Sequence, residues 1–118
     1  MAQQTEKQAE RRKITRFSIN EEVYDTKTFK SLGYTADLNP YGMMLVSTDQ
    51  FKTGEETRIS IDIPDGKNKK IKTFLTAQCR WSERHLNTAF FNSGFRFVYS
   101  SNFDIEFIET LFFGLTEQ

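Results

Sequence analysis

The sequence predicts a mainly β domain: about six short antiparallel strands, a C-terminal helix and a polar N-terminal arm. Three observations carry that expectation. Short apolar stretches recur between turn signals from about residue 17 to residue 99, and regular short strands argue for an antiparallel barrel or sandwich. Twelve phenylalanines in 118 residues are many, and aromatic enrichment favours a sheet-rich core. After Ser101 the apolar spacing changes from that of a strand to that of a helix. The length provides for one hydrophobic core and one domain.

Each element has its own signal. Residues 1–13, MAQQTEKQAERRK, contain too little apolar surface to pack alone and read as a solvated helix or a flexible arm. The barrel with its helix is expected over 14–118. Phe17, Ile19 and Val23 suggest a first strand, 30–38 a second and 43–47 a third, with Asn-Pro-Tyr-Gly between the last two. The stretch 57–63 alternates cleanly, with Ile59, Ile61 and Ile63 on one face and Arg58, Ser60 and Asp62 on the other. Pro64-Asp65-Gly66 then reads as a turn, because proline presets φ and glycine accepts positive φ. Strands over 71–82 and 88–99 complete the set. Ser101 with Asp104 resembles a capping box and opens a helix over about 101–113. Its apolar positions Ile105, Ile108, Leu111, Phe112 and Leu115 share one face, which is expected to cover an opening or flank of the barrel.

Composition narrows the function classes. Sixteen basic residues balance sixteen acidic ones, so no global field draws the chain to nucleic acid or membrane. The balance hides a polarity: residues 1–16 carry five basic and two acidic side chains, and 101–118 carry four acidic and no basic ones. No apolar run approaches the roughly 20 residues that span a bilayer, and the N-terminus lacks the apolar core of a secretory signal. A cytoplasmic location is expected, and the single Cys79 agrees with a reducing compartment. Enzyme chemistry has few candidates. His85, the sole histidine, lies in the polar stretch Ser-Glu-Arg-His-Leu-Asn and reads as an exposed hairpin residue. One histidine and one cysteine cannot form a Cys/His zinc site within one chain. Phosphate-binding and dinucleotide glycine fingerprints are missing. The pairs Glu21/Glu22 and Glu55/Glu56 are adjacent, which on a strand points them to opposite faces. No cofactor and no catalysis are expected.

Two segments remain. Arg11-Arg12-Lys13-Ile14-Thr15-Arg16 is followed about twenty residues later by Asp37-Leu38-Asn39-Pro40-Tyr41-Gly42. Arginine forks bind phosphate bidentately, pair with the O6/N7 edge of guanine and stack on bases. Aspartate accepts hydrogen bonds of the kind guanine's N1–H and N2–H₂ donate. A glycine lets backbone amides approach a ligand closely. These are the parts needed to hold a guanine nucleotide with phosphates. Taken separately, the arginines also read as a solvated basic run, and Asp37 and Gly42 as turn residues around Pro40. Trp81 and the phenylalanines read as core or interface residues, and Lys67, Lys69, Lys70 and Lys72 as a soluble hairpin tip that protects an edge.

Jointly the two segments resemble the PilZ family, whose signature is RxxxR, often with a preceding arginine, followed by [D/N]xSxxG. Arg12 and Arg16 match the first motif, Arg11 the extra arginine, and Asp37 and Gly42 the ends of the second. The strand 43–47, Cys79-Arg80-Trp81, Ser93-Gly94-Phe95-Arg96-Phe97 and the terminal helix extend the resemblance over about residues 10–113. It implies a six-stranded antiparallel PilZ-type β-barrel, as a single-domain member. It also implies a cytoplasmic receptor for the bacterial second messenger cyclic di-GMP, of the kind tied to motility and biofilm. The resemblance assigns Arg11, Arg12 and Arg16 to guanine and phosphate, on an arm that wraps the ligand and changes conformation when it binds. It assigns Asp37 to a guanine edge and Gly42 to the turn. The departure is Asn39 in place of the motif's serine, followed by Pro40. Asparagine donates, accepts and suits turns, and is larger than serine. The implied partners are cyclic di-GMP and an effector protein, without DNA or RNA and without membrane insertion. The alternative is a PilZ-like protein–protein adaptor, linked to pili or motility, with weak or no nucleotide binding. Phe103, Phe107, Phe112 and Phe113 carry more apolar surface than one helix face needs, an excess that fits a homodimer.

Overall fold

The computed structural model describes residues 20–64 and 69–116. Six strands, β1 (Glu22–Asp25), β2 (Ser31–Asn39), β3 (Gly42–Ser47), β4 (Glu56–Pro64), β5 (Lys70–Arg84) and β6 (Phe91–Val98), precede one helix, α1 (Asn102–Thr116). The strands close an antiparallel barrel in the order β1-β2-β3-β6-β5-β4. Closure comes from β1 against β4, where Val23 pairs with Ile61. A closed barrel leaves no strand edge open to another chain. Phe17, Ile19, the arm over 1–13, Asp65, Gly66 and Lys67 lie outside the described residues, as do the side chains of Phe103, Phe112, Phe113 and Leu115.

The apolar positions read from the alternation line the interior. Ile59, Ile61 and Ile63 are buried with Val23, Leu38, Leu45, Ala77, Cys79 and Phe97, while Arg58 and Asp62 face out. Ile108 of α1 belongs to the same core, and Leu111 packs against it, so the helix plugs the barrel. Ser101 caps that helix: its hydroxyl accepts from the Asp104 amide (3.3 Å) and donates to the Asp104 carboxylate (3.1 Å). The helix runs on through Gly114 to Thr116, past the expected end near 113. One glycine weakens a helix by about 1 kcal/mol and need not end it.

The sixth strand starts at Phe91, three residues later than its apolar pattern suggested, because a tight loop takes up residues 85–90. His85 donates its amide to the Phe90 carbonyl (2.8 Å), Thr88 donates its amide back to His85 (3.2 Å), and Asn87 adopts φ 58°. His85 is exposed at this tip, as read from its polar setting. No described helix is long and apolar enough to cross a membrane.

Two β-bulges set which side chains face outward. Regular alternation cannot bury both Thr35 and Leu38, which are three residues apart, yet both are buried. The pairing shows why: Thr35 faces Leu45 and Asp37 faces the next residue, Met44, so Ala36 is extra. On β5, Cys79 faces Phe95 and Trp81 faces Gly94, so Arg80 is extra. Each bulge reverses the parity of its strand. Without them, Asp37 and Trp81 would point into the core with Thr35 and Cys79.

Cys79 itself stays inside, 1% exposed. Burial pushes its thiol pKa up, and the thiolate is the reactive form. The native protein should therefore react with Ellman's reagent far more slowly than the guanidinium-unfolded chain. Equal rates would show that the barrel opens readily around β5.

Candidate functional site

The two bulges lie at the same level of the barrel wall, and their residues meet in one row. Asp37 pairs with Met44, Met44 with Gly94, and Gly94 with Trp81. The row runs across β2, β3, β6 and β5 on the outer surface. The adjoining outward row is Asn39, Gly42, Arg96 and Gln78, in which Arg96 Nη2 donates to Gln78 Oε1 (3.1 Å). An open groove of about 450 Å³ lies over both rows, and Asp37, Asn39, Tyr41, Arg80, Trp81 and Arg96 line it. Asp37, Asn39 and Gly42, singled out in the sequence, therefore lie together. Arg11, Arg12 and Arg16 lie outside the described residues.

Glycine at position 94 has a steric reason. The Trp81 indole lies on it, so closely that a Cβ there would overlap the ring nitrogen. Trp81 consequently lies against the wall at Gly94 with 40% of its surface exposed. Gly42 has a different reason from the turn freedom expected of it: a Cβ would run into the Phe95 carbonyl oxygen of β6. The glycine serves the close approach of β3 to β6 at the rim of the groove.

Asn39 builds the turn below. The hairpin from β2 to β3 has a two-residue loop, Pro40-Tyr41, between the paired Asn39 and Gly42. Asn39 Oδ1 accepts from the amides of Tyr41 (2.8 Å) and Gly42 (3.1 Å), an Asx-type turn in which the side chain satisfies two backbone donors. The loop is fastened twice more. Phe97 donates its amide to the Tyr41 carbonyl (2.8 Å), and Tyr99 donates its hydroxyl to the Pro40 carbonyl. Burial pushes the Tyr99 phenol well above its ordinary pKa, so it remains a donor. Tyr41 donates its own hydroxyl to Glu109 Oε2 of α1 (2.8 Å). The turn under the groove is thus tied to the terminal helix.

Sequence reasoning missed Arg80, Trp81, Arg96 and Met44 as lining residues, and it read Trp81 as a core or interface residue. The Arg80 bulge is the reason Trp81 faces out, and an extra residue in a strand has no apolar signature. Chemically the groove offers a carboxylate, two guanidinium groups and a partly exposed indole. That set suits a flat, polar, anionic ring system. Among the described residues no cluster of His, Cys, Asp or Glu could hold a metal.

Two solved structures share this architecture. The Bacillus subtilis inhibitor of motility (MotI/DgrA) superposes with a TM-score of 0.67 at 14% identity, over 80% of this chain and 46% of that one. The PilZ domain with c-di-GMP of YcgR from Escherichia coli superposes with a TM-score of 0.60 at 17% identity, over 86% and 88% of the two chains. The chain spans just under half the length of the Bacillus protein. At these identities the likeness establishes the fold. No curated protein sequence matches. A family model described as PilZ domain matches residues 6–114, which is nearly all of the sequence, and the chain belongs to the PilZ domain family.

Proposed function

We propose that the protein is a cyclic di-GMP receptor that acts by binding, without catalysis, and passes the signal to an effector protein. The observation that carries this reading is the double bulge, which gathers Asp37 and Trp81 on one outer wall beside Arg80 and Arg96. Asp37 accepts from a guanine edge, the two arginines meet phosphate or the guanine O6/N7 edge, and the indole carries a base. The arm completes the site: Arg12 and Arg16, with Arg11 assisting, close over the ligand from the other side. Ordering that arm costs conformational entropy, so affinity depends on its charged contacts. The wall is preformed and the arm supplies the conformational change. A second path to the effector leads from the Asn39–Gly42 turn through Tyr41 to Glu109 on α1.

The adaptor reading draws on Asn39. Its Oδ1 is engaged by the turn amides, which leaves the Nδ2 donors, rather than a hydroxyl, to meet a ligand at the serine position of the motif. Asn39→Ser separates the two readings: a large gain in affinity would mean that asparagine has weakened the site.

Titration calorimetry with cyclic di-GMP is the direct test. Binding should be measurable for the wild-type chain. Asp37→Ala, Arg12→Ala and Arg16→Ala should each weaken it roughly 10- to 150-fold, since a hydrogen bond to a charged group is worth about 1.5–3 kcal/mol. No heat at millimolar ligand would leave the adaptor as the surviving reading. Binding unchanged in all three variants would keep the function and move the site.

A further inference from the structure

Arg96 lines the Asp37 groove, and the side chain that holds it comes from the neighbouring strand. Its two cross-strand neighbours differ: Gly42 of β3, which has no side chain, and Gln78 of β5. Arg96 is exposed, and an exposed arginine has many rotamers open to it until something fixes it. Here Nη2 of the guanidinium donates to Gln78 Oε1 (3.1 Å). Gln78 is half-buried between Ala77 and Cys79, which both point into the barrel. It is not among the described residues that line the groove.

The Gln78 amide is itself oriented from behind. Its Nε2 donates to the Gly54 carbonyl (3.4 Å). That carbonyl belongs to a loop joined to β5 at the next residue: the Gly54 amide donates to the Cys79 carbonyl (2.7 Å), and the Cys79 amide donates to the Glu55 carbonyl (3.0 Å). Turning the Gln78 amide over would set its oxygen against a carbonyl and its NH₂ against a guanidinium, so both bonds select one orientation. The Gly54 acceptor is backbone and is kept whatever side chain stands at 54. The tether is also neutral. It occupies one of the five guanidinium N–H donors and cancels none of the positive charge. The carboxylate in this row, Glu56, stands opposite Gln78 on β4, one strand further from Arg96, with Gln78 between them.

We infer that Gln78 is a positioning residue for cyclic di-GMP: without touching the ligand, it holds the Arg96 guanidinium toward β5, the strand that carries Trp81, ready to meet an oxygen of the nucleotide. The inference rests on the receptor reading and adds to it a residue outside both the motif and the groove. Its physical content is preorganisation. An arginine already ordered in the empty site loses less conformational freedom when the ligand binds.

A double-mutant cycle read by titration calorimetry with cyclic di-GMP tests it, using Gln78→Met to remove the acceptor at nearly constant shape. Arg96→Ala should weaken binding about tenfold or more. Gln78→Met should weaken it roughly 3- to 10-fold, the effect of leaving one rotamer-rich side chain for the ligand to order. In the Arg96→Ala background the same Gln78→Met change should alter affinity by less than about twofold, because no guanidinium remains to be held. A residue that merely supports the barrel would lower affinity by the same factor in both backgrounds. Gln78→Met should also melt close to the wild type, as surface substitutions usually do. Wild-type affinity in Gln78→Met, or losses that multiply in the double variant, would overturn the inference and leave the receptor reading standing. No heat from the wild-type chain would overturn the two together.

Discussion

Replacing Gly42 by valine should cost the barrel about 3 kcal/mol or more, the upper range for forcing extra atoms into a well-packed site. In a chain of this size that corresponds to a fall in Tm of roughly 10 °C or more. The reason lies in what the added atoms meet. A Cβ at position 42 overlaps the Phe95 carbonyl oxygen, which is backbone in the neighbouring strand. It cannot swing away as the end of a side chain could. Gly42 pairs with Arg96 at the start of β3, so relief requires β3 and β6 to separate at the rim of the Asp37 groove. Gly42 lacks a positive φ, so this cost is steric and not conformational. Gly42→Ala already introduces the offending Cβ and should show most of the loss. Thermal melts followed by circular dichroism measure it. Gly54 is the control: it has φ +92° with open space around its Cβ position, so Gly54→Ala should cost backbone strain of about 1–3 kcal/mol without disturbing the groove. A Gly42→Ala variant that melts with the wild type would mean that β3 and β6 part at little cost.

The same close approach explains what the sequence could reveal. The strand 57–63 was legible because three isoleucines at period two leave one consistent face, and Ile59, Ile61 and Ile63 are buried as that pattern demands. The cap at Ser101 was legible because its partner lies three residues away along the chain. Asp37, Asn39 and Gly42 were legible as a motif, and they do gather at one groove. The roles of these residues were harder to read. The turn explanation of Gly42 uses only local chain geometry, whereas its reason sits on β6, more than fifty residues later. Asn39 was weighed as a ligand contact, while its oxygen holds the Tyr41 and Gly42 amides. Trp81 was hidden by the extra residue Arg80, since parity counted from Ala77 and Cys79 points it inward. Arg80 and Arg96 are single exposed arginines in sequence, and they become a pair only through the β5–β6 register. Local signals were thus readable, and features created by strand pairing were not.

The second large effect concerns that tryptophan. Trp81→Ala should weaken cyclic di-GMP binding by about 1–3 kcal/mol, the usual worth of one base stacked on an aromatic face, or roughly 5- to 150-fold. Stability should change much less, because the indole is 40% exposed and outside the barrel core. Shape and charge support a stacking role over simple packing. The ring lies against Gly94, and Asp37 stands in the same cross-strand row. A base stacked on the indole could therefore turn its polar edge toward the carboxylate. Trp81→Phe should retain most of the affinity, since a smaller ring still offers a π-face, whereas Trp81→Leu should behave like alanine despite its comparable apolar bulk. Calorimetry on the three variants, with melts to confirm folding, distinguishes stacking from packing. Equal affinities for Trp81→Phe and Trp81→Leu would remove the base from the indole. A Gly94→Ala variant gives an independent check, because its added methyl must lift the ring off the wall. It should lower affinity with Trp81 chemically intact, and in the Trp81→Ala background the same substitution should have little further effect, since the two act through one surface.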